Sequence, residues 1–238
     1  FPGPPPDAPE YAPDLVTTAE PGLKPALLDN RLRFNAAAYY LRYKDLQVNQ
    51  LELVGGLPQF QTSNAARARS KGIELELTAR PVSGFDVSLN YSYLDAKFRD
   101  YANATPGGDD FTGNTMVKAP KHNVSLGAQY EAPLTDTLSL TLRGDLTHRS
   151  RIFFGPDNAH SEGDVTLLNG RIGIGSEQGW SLFLWGRNLT NKDYALYRND
   201  GVIIGGQAVP SPAAPRAYRV ETPLPFYRAR AAATKKAR

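Results

Sequence analysis

The sequence has no cysteine and only three histidines among its 238 residues. The absence of cysteine excludes disulfides, thiolate metal sites and a cysteine nucleophile. The histidines are His122, His148 and His160, which lie far apart in the chain and share no metal-ligand spacing. We therefore expect no metal centre, and we interpret each histidine as a rim or lumen residue.

Long hydrophobic runs are also missing. No stretch reaches the roughly 18 uncharged apolar residues that a membrane-spanning helix needs. The longest uncharged stretch, residues 201–215, is interrupted by glycine and proline. The mean hydropathy of −0.42 is that of a water-soluble chain. A membrane β-barrel gives the same average, because only every second residue of its strands meets lipid.

The sequence has no large excess of charge of either sign and no recognisable catalytic motif. With 27 Lys and Arg against 24 Asp and Glu, the net charge is only +3, which argues against a nucleic-acid partner. The "GRIGIG" run from Gly170 lacks the spacing of a dinucleotide fingerprint. Asp109 and Asp110 lie in a glycine-flanked stretch that could contact a cation, but we interpret it as a solvated loop. No nucleophile elbow is present. We expect neither an enzyme nor a cofactor.

The sequence does contain strict alternation of apolar and polar residues, which is typical of strands with one apolar and one wet face. The clearest example is residues 138–147, where every second residue is leucine or glycine and the others are polar. Similar runs cover residues 73–80, 85–93 and 123–130, and weaker ones cover about 31–45, 164–175 and 180–187.

The links between these runs alternate in length. Short, turn-like links lie at residues 29–30, 81–84, 135–137 and 177–179, and long links lie at about 46–64, 99–117, 154–163 and 193–217. In an up-and-down barrel, all short links lie at one rim and all long links at the other. Outer-membrane barrels are built in this way, with long external loops. We expect 99–117 and 193–217 to be external and mobile.

A soluble antiparallel sheet would also alternate, so alternation alone leaves both interpretations open. Three features favour the membrane barrel. The strands are about 10–15 residues long against the usual ~5–6, charged residues lie at mid-strand, and aromatic residues gather near strand ends. The sequence thus predicts an all-β, antiparallel, up-and-down transmembrane β-barrel. Leu75, Leu89 and Leu142 should face lipid, whereas Glu76 and Arg143 should face the lumen.

Four segments, in order along the chain, resemble TonB-dependent outer-membrane receptors. They are "LLDNRLRFNAAAYYLRYKDLQV" from Leu27, "SKGIELELTARPVSGFDVSLNYSYLDAKFRDY" from Ser70, "APKHNVSLGAQY" from Ala119 and "GRNLTNKDYALYRND" from Gly186. One such segment would be weak evidence, but four in the family's order are specific. The chain departs from the family pattern at Pro21 and Pro25, which interrupt the expected first strand.

The resemblance implies a 22-stranded barrel around an N-terminal plug, of which this chain would supply an incomplete set of about nine C-terminal strands. Residues 1–21 would be the remnant of an extracellular loop, and 22–226 the C-terminal part of the barrel. Residues 227–238 would be a basic, disordered tail. Because the chain lacks an export signal, we expect that signal upstream. Pro223 and Pro225 would weaken the closing strand that ends at Phe226.

The function that the resemblance implies is active uptake of a scarce ligand, here a ferric siderophore. The receptor would lie in the outer membrane of a Gram-negative bacterium, in contact with lipid, and would be energised by TonB through the plug. From their strand positions we expect Arg143, Arg171 and Arg187 to face the lumen and to meet an anionic ferric chelate. Alternatively, they pair with Glu74, Glu76 or Asp145 in the wall. A passive porin-like barrel piece and a soluble β-sheet binding module are the remaining alternatives.

Overall fold

The computed structural model describes residues 11–54, 57–199 and 209–222, and within them it consists of strands and turns. Nine strands form one continuous antiparallel sheet in chain order. They are β1 (Leu15–Ala19), β4 (Leu32–Val54), β5 (Leu57–Ala79), β6 (Phe85–Asp100), β7 (His122–Pro133), β8 (Leu138–Arg149), β11 (Val165–Ser176), β12 (Ser181–Arg187) and β15 (Ala217–Glu221). The predicted all-β antiparallel fold and the count of about nine strands are confirmed.

Six short strands complete the structure. They are β2 (Gly22–Leu23), β3 (Ala26–Leu27), β9 (Ile152–Phe153), β10 (Ser161–Glu162), β13 (Ala195–Asn199) and β14 (Val209–Pro212). The pairs β9–β10 and β13–β14 are two-stranded ribbons within long links. No helix in the described residues is long and apolar enough to cross a membrane.

The first strand is broken where the two prolines stand. β1, β2 and β3 all pair with β4, and the gaps between them fall at Pro21 and Pro25. A proline has no N–H to donate to a ladder, but its carbonyl still accepts. Accordingly, Ala38 N–H donates to the Pro21 carbonyl and Phe34 N–H to the Pro25 carbonyl. Residues 15–19, which the sequence interpretation placed in the loop segment 1–21, already belong to the sheet.

The β4–β5 hairpin is longer than predicted. The expected long link at 46–64 is wrong, because residues 46–54 and 57–64 continue the two strands in register. The side chains support the pairing, since the Thr62 hydroxyl donates to Asn49 Oδ1 at 2.8 Å. A bulge at Tyr43/Leu46, with Asp45 at φ 57°, shifts the alternation by one residue. That shift is why the pattern along this stretch did not look like a strand.

The short links lie together at one end of the sheet and are bonded to one another. Arg80 N–H donates to the Arg31 carbonyl, Glu131 N–H to the Gly84 carbonyl, and Glu177 N–H to the Thr137 carbonyl. Neighbouring turns therefore meet at a common rim, as the alternation of link lengths predicted.

The register separates an apolar face from a polar one. Residues directly opposite each other on paired strands share a face. One such row of the apolar face holds Tyr130, Leu142, Ile172, Leu184 and Val220 in unbroken register across five strands. All five side chains are exposed, from 39% for Leu142 to 66% for Val220. In the described part of the chain no second layer covers this face, and a soluble sandwich would need one.

The link between β6 and β7 is packed and not loose. Tyr101, which is 1% exposed, and Ala104 pack with Phe111 and Met116 of the link against Ala66, Ala68 and Phe98 of the sheet. The return path of the link also bonds to β6, since Met116 N–H donates to the Ala96 carbonyl. The expectation that 99–117 is external and mobile stays a prediction, and the packing shows that part of this link is anchored on the sheet. The predicted closing-strand residues Pro223, Pro225 and Phe226 and the tail 227–238 lie outside the described residues.

Candidate ligand-binding face

The polar face brings the three predicted arginines together on neighbouring strands. Arg143 of β8 lies directly opposite Arg171 of β11, and Arg171 lies directly opposite Trp185 of β12. Arg187 follows two residues after Trp185, so that it shares the same face. The three side chains thus point to one side of the sheet, the side that carries Gln129 and Asp145.

Arg143 is held by the wall itself. Its Nε donates to Asp145 Oδ2 at 2.9 Å, its NH2 group to Asp145 Oδ1 at 2.6 Å, and its NH1 group to Gln129 Oε1 at 3.4 Å. A two-point bond between guanidinium and carboxylate neutralises the charge and fixes the side chain. Arg143 therefore pairs with Asp145 in the wall, as the alternative prediction states.

Arg171 is held by aromatic rings. The centre of its guanidinium lies 3.5 Å from the Phe183 ring centroid and 4.9 Å from that of Trp185. Stacking on an aromatic face orients a guanidinium and leaves its edge available for an anion. Within the described residues, Arg171 Nε and Trp185 Nε1 are buried without a hydrogen-bond partner. Two donors on adjacent strands therefore lack an acceptor.

The cation stack depends on a glycine. Gly173 lies directly opposite Phe183, and a Cβ at residue 173 would overlap the Phe183 ring. A larger residue there would push Phe183 off its place beside Arg171. Sequence reasoning missed the stack, although it left a signal: Phe183 and Trp185 are aromatic at positions where the alternation requires polar residues.

Arg187 is exposed at the end of β12, next to the long link that follows it. It lines a groove of about 280 Å³ with Trp185, Ala217 and Arg219. The ion pairs found among the described residues include Arg143 but neither Arg171 nor Arg187. The alternative pairing with Glu74 or Glu76 is seen for none of the three.

Carboxylates occupy the other side of the polar face. Glu74 and Glu76 of β5 line a groove of about 270 Å³ with Asn90, Asn123 and Ser125. The Asn35 amide donates to Glu76 Oε2 at 2.9 Å. Within the described residues no group of three or more metal-ligating side chains comes together. The polar face thus carries an acidic wall on β5 and a basic wall on β8, β11 and β12.

The long links are bonded to one another at the opposite end from the short turns. Asn158 is the central residue: its Nδ2 donates to the Thr115 carbonyl and its Oδ1 accepts from the Thr115 N–H, both at 2.9 Å. Asn114 Nδ2 donates to the Pro156 carbonyl at 3.0 Å. The third link joins through Glu162, which accepts from Ala195 N–H at 2.8 Å. Three long links therefore form one connected rim.

The two-faced sheet, its sorted links and its exposed apolar rows define part of the wall of a membrane β-barrel. Residues 2–189 match the family model described as "TonB dependent receptor-like, beta-barrel". Since the match covers well over half of the sequence, the chain belongs to the TonB-dependent receptor family, whose members are outer-membrane proteins.

Curated relatives and a solved structure agree with this assignment. The pesticin receptor of Yersinia pestis is 26% identical over 199 residues, which are 81% of this chain and 26% of that receptor. The ferric-pyoverdine M114 receptor PbuA of Pseudomonas sp. (strain M114) is 28% identical over 134 residues, 55% of this chain and 16% of that receptor. The chain thus spans about a quarter or less of these relatives.

The structural comparison supports the fold. The crystal structure of the ferric yersiniabactin uptake receptor FyuA from Yersinia pestis aligns with a TM-score of 0.74 at 20% identity. The alignment covers 89% of this chain and 30% of that one. The described sheet is open and corresponds to part of such a barrel, as predicted.

Proposed function

We propose that this chain forms the C-terminal part of the barrel wall of an outer-membrane receptor that imports a ferric siderophore. In this proposal the apolar face contacts outer-membrane lipid, the polar face lines the lumen, and the connected long links lie outside the cell. Energy would come from TonB through a plug inside the barrel. Relatives named for ferric complexes, among them the ferric-pyoverdine M114 receptor, support the ligand class.

The observation that carries the proposal is the basic wall around Arg171. An anionic iron chelate that passes along the lumen would find a guanidinium pre-oriented by Phe183 and Trp185. It would also find the exposed Arg187 one strand away. Arg143 contributes less, because Asp145 already neutralises it. We therefore assign ligand contact first to Arg171 and Arg187, and wall stabilisation to Arg143.

The alternatives predict other behaviour. A soluble binding module would bury the row that contains Leu142 and Ile172, which here is exposed across five strands. A passive porin would let small solutes through without an energy source. A catalytic role has no support in the assembled residues, and the family's named members are transport receptors.

Uptake tests the proposal directly. Cells that express the complete receptor are starved of iron and offered radiolabelled ferric complexes of one catecholate, one hydroxamate and one carboxylate chelator. We expect energy-dependent uptake of at least one complex, and loss of uptake when TonB is deleted. The substitution Arg171→Gln should reduce that uptake, whereas Arg31→Gln at the short-turn rim should not. Uptake of all three complexes that is independent of TonB would favour a passive pore.

A further inference from the structure

A second basic surface lies on the apolar face, away from the polar face. Arg67, Arg69 and Lys71 of β5 alternate with Ala68, Ser70 and Gly72, which are buried on the polar side. The three basic residues therefore share a face with Ile73 and Leu75. The register adds further basic side chains on the neighbouring strands, since Arg42 lies opposite Arg69 and Lys97 lies opposite Arg69 on the other side.

These side chains surround a groove. Its volume is about 450 Å³, and it is lined by Tyr40, Arg42, Lys44, Arg67, Arg69 and Arg99. We call it the outer basic groove. Arg42 is oriented by Tyr40, because its Nε donates to the phenol oxygen at 3.2 Å and its guanidinium lies 5.4 Å from the ring centroid. An aromatic ring thus presents a guanidinium to the groove.

The positive charge of this surface is only partly neutralised. Asp95 accepts from Arg69 at 2.9 Å and lies 3.8 Å from Lys71, so that one carboxylate serves two cations. The other contacts are weaker: Arg67 to Asp100 is 4.0 Å and Lys44 to Asp45 is 3.7 Å, with largely exposed side chains. Seven basic residues with Lys97 and Arg99 therefore face three carboxylates, which leaves a net charge of +4.

Aromatic residues next to the outer basic groove indicate where it would lie relative to a membrane. Tyr93 and His122 lie opposite each other in an aromatic row on the apolar face, with ring centroids 5.4 Å apart and tilted rings. Tyr91, two residues along β6, stacks on His122 at 6.2 Å. Ile73 lies opposite Tyr93 in this row. Aromatic rows of this kind mark the boundary between hydrocarbon and headgroups in membrane barrels.

The rise per residue then gives the height of the basic residues. Lys71 is two residues and Arg69 four residues beyond Ile73, toward the long links. At about 3.3 Å per residue and a strand tilt of about 40°, they lie roughly 5 and 10 Å beyond the aromatic row. The headgroup layer of a bilayer is about 5–8 Å deep on each side. The groove therefore lies at the level of lipid phosphates.

The end of the apolar face near the short turns carries apolar and aromatic side chains. Near the short turns, the corresponding outward positions are held by Phe85, Tyr130 and Leu140. Among the described outward positions of β5 to β8, the basic side chains lie toward the long links, so the charge of this face is asymmetric along the strands.

We propose that the outer basic groove binds the phosphorylated headgroup of an outer-leaflet lipid. Guanidinium groups bind phosphate with two parallel hydrogen bonds, and several of them around one groove match a headgroup that carries more than one phosphate. Basic clusters beside a membrane surface are attracted to anionic lipid in the same way. The inference rests on the proposed function, because it needs the apolar face in lipid and the long links outside.

The test uses the complete receptor, purified in neutral detergent. It is mixed with bisphosphorylated lipid A, with the same lipid after removal of its phosphates, or with inorganic phosphate, and bound lipid is counted by native mass spectrometry. The test variant is Arg42→Gln/Arg67→Gln/Arg99→Gln. The matched control is Lys24→Gln/Arg31→Gln/Arg33→Gln, which removes the same charge from exposed residues near the short-turn rim.

We expect the parent receptor and the control to bind the phosphorylated lipid with similar affinity. The test variant should bind on the order of 100-fold more weakly, since each basic residue near an anionic surface contributes about fivefold. Equal binding by the test variant would overturn the proposal. So would equal binding of the dephosphorylated lipid, which would show apolar retention only. Full displacement by inorganic phosphate would indicate a free-anion site instead.

Failure of this inference is separable from failure of the proposed function. Ferric-complex uptake is measured for the same three proteins, and folding is checked by heat-modifiable mobility on gels. A receptor that folds and transports but does not bind the phosphorylated lipid contradicts the groove proposal alone. A receptor that folds and binds the lipid but imports none of the ferric complexes contradicts the transport proposal alone.

Discussion

Gly173 and Phe183 lie directly opposite each other on β11 and β12, and the Phe183 ring occupies the space that a side chain at residue 173 would need. The ring that fills this space is the one that stacks on Arg171. The lack of a side chain at Gly173 of β11 therefore allows Phe183 of β12 to orient Arg171, which is also on β11.

The substitution Gly173→Ala should destabilise the sheet by about 1–3 kcal/mol, because overpacking forces Phe183 out of its rotamer. It should also free Arg171 from its stack. Unfolding of the complete receptor in urea gives the first quantity. The fluorescence of Trp185 reports the second, in a background where Trp180 and every tryptophan outside this chain are replaced by Phe. The control is Gly144→Ala, where an added Cβ meets nothing within 4 Å. Similar losses in both variants would show that any added methyl group is harmful.

Leu142 tests which face meets lipid. In the complete receptor, Leu142→Arg should cost about 2–4 kcal/mol if residue 142 lies near the bilayer midplane. Thr141→Arg, one residue away on the polar face, should cost much less, since Glu131 lies directly opposite. The measurement is the fraction of heat-modifiable, folded protein in lipid vesicles. Spin labels at 142 and 143 give an independent check, and water-like accessibility at 142 with lipid-like accessibility at 143 would reverse the assignment of faces.

Tyr101 should hold the β6–β7 link against the sheet. Its ring lies 4.9 Å from Phe98 and 5.5 Å from Phe111 and is almost completely buried. Tyr101→Ala removes a large buried ring, and we expect a loss of about 3–5 kcal/mol in local stability. Limited proteolysis on intact cells should then cleave the link. Tyr197→Ala, at a residue that is 44% exposed, is the control; resistance to the protease in both variants would show that the packed link does not depend on Tyr101.

Asn158 should hold two of the long links together. Asn158→Ala removes both hydrogen bonds to Thr115, and amide hydrogen exchange at residues 114–116 should accelerate about tenfold, as expected for roughly 1.4 kcal/mol. Asn103→Ala is a matched control, because both asparagines have a positive φ, 59° and 54°. Equal acceleration in the two variants would attribute the effect to backbone strain and not to the bonds.

The sequence predicted the strands that alternate without interruption, since period-two alternation and turn residues are local features. β8 and β6 are examples: Leu138–Arg149 and Phe85–Asp100 begin where the alternation does. The strand extension beyond Tyr43 was not predicted, because the pairing of β4 with β5 is irregular twice between Tyr43 and Gln47. The bulge at Asp45 moves the later side chains of β4 to the other face. When the apolar residues change from every odd to every even position, the alternation looks interrupted, and the strand is predicted to end there.

The candidate site was predicted only in part. The face shared by Arg143, Arg171 and Arg187 follows from counting residues along strands. The different surroundings of the arginines could not be predicted in the same way. Arg143 meets Asp145, which follows it by two residues on the same strand. Arg171 meets Phe183 and Trp185 only because the β11–β12 register places them beside it. The packing of Tyr101 against Ala66 and Ala68 is likewise a long-range contact without a local pattern.

Every pairing in the nine-stranded sheet joins strands that follow one another along the chain. Each new strand therefore closes a small loop against a neighbour that is already in place, and the entropy lost at each step grows only slowly with the length of the link. Contacts of low sequence separation also form quickly. The sheet can therefore be built hairpin by hairpin, because none of the pairings among these nine strands has to bring together strands from distant parts of the chain.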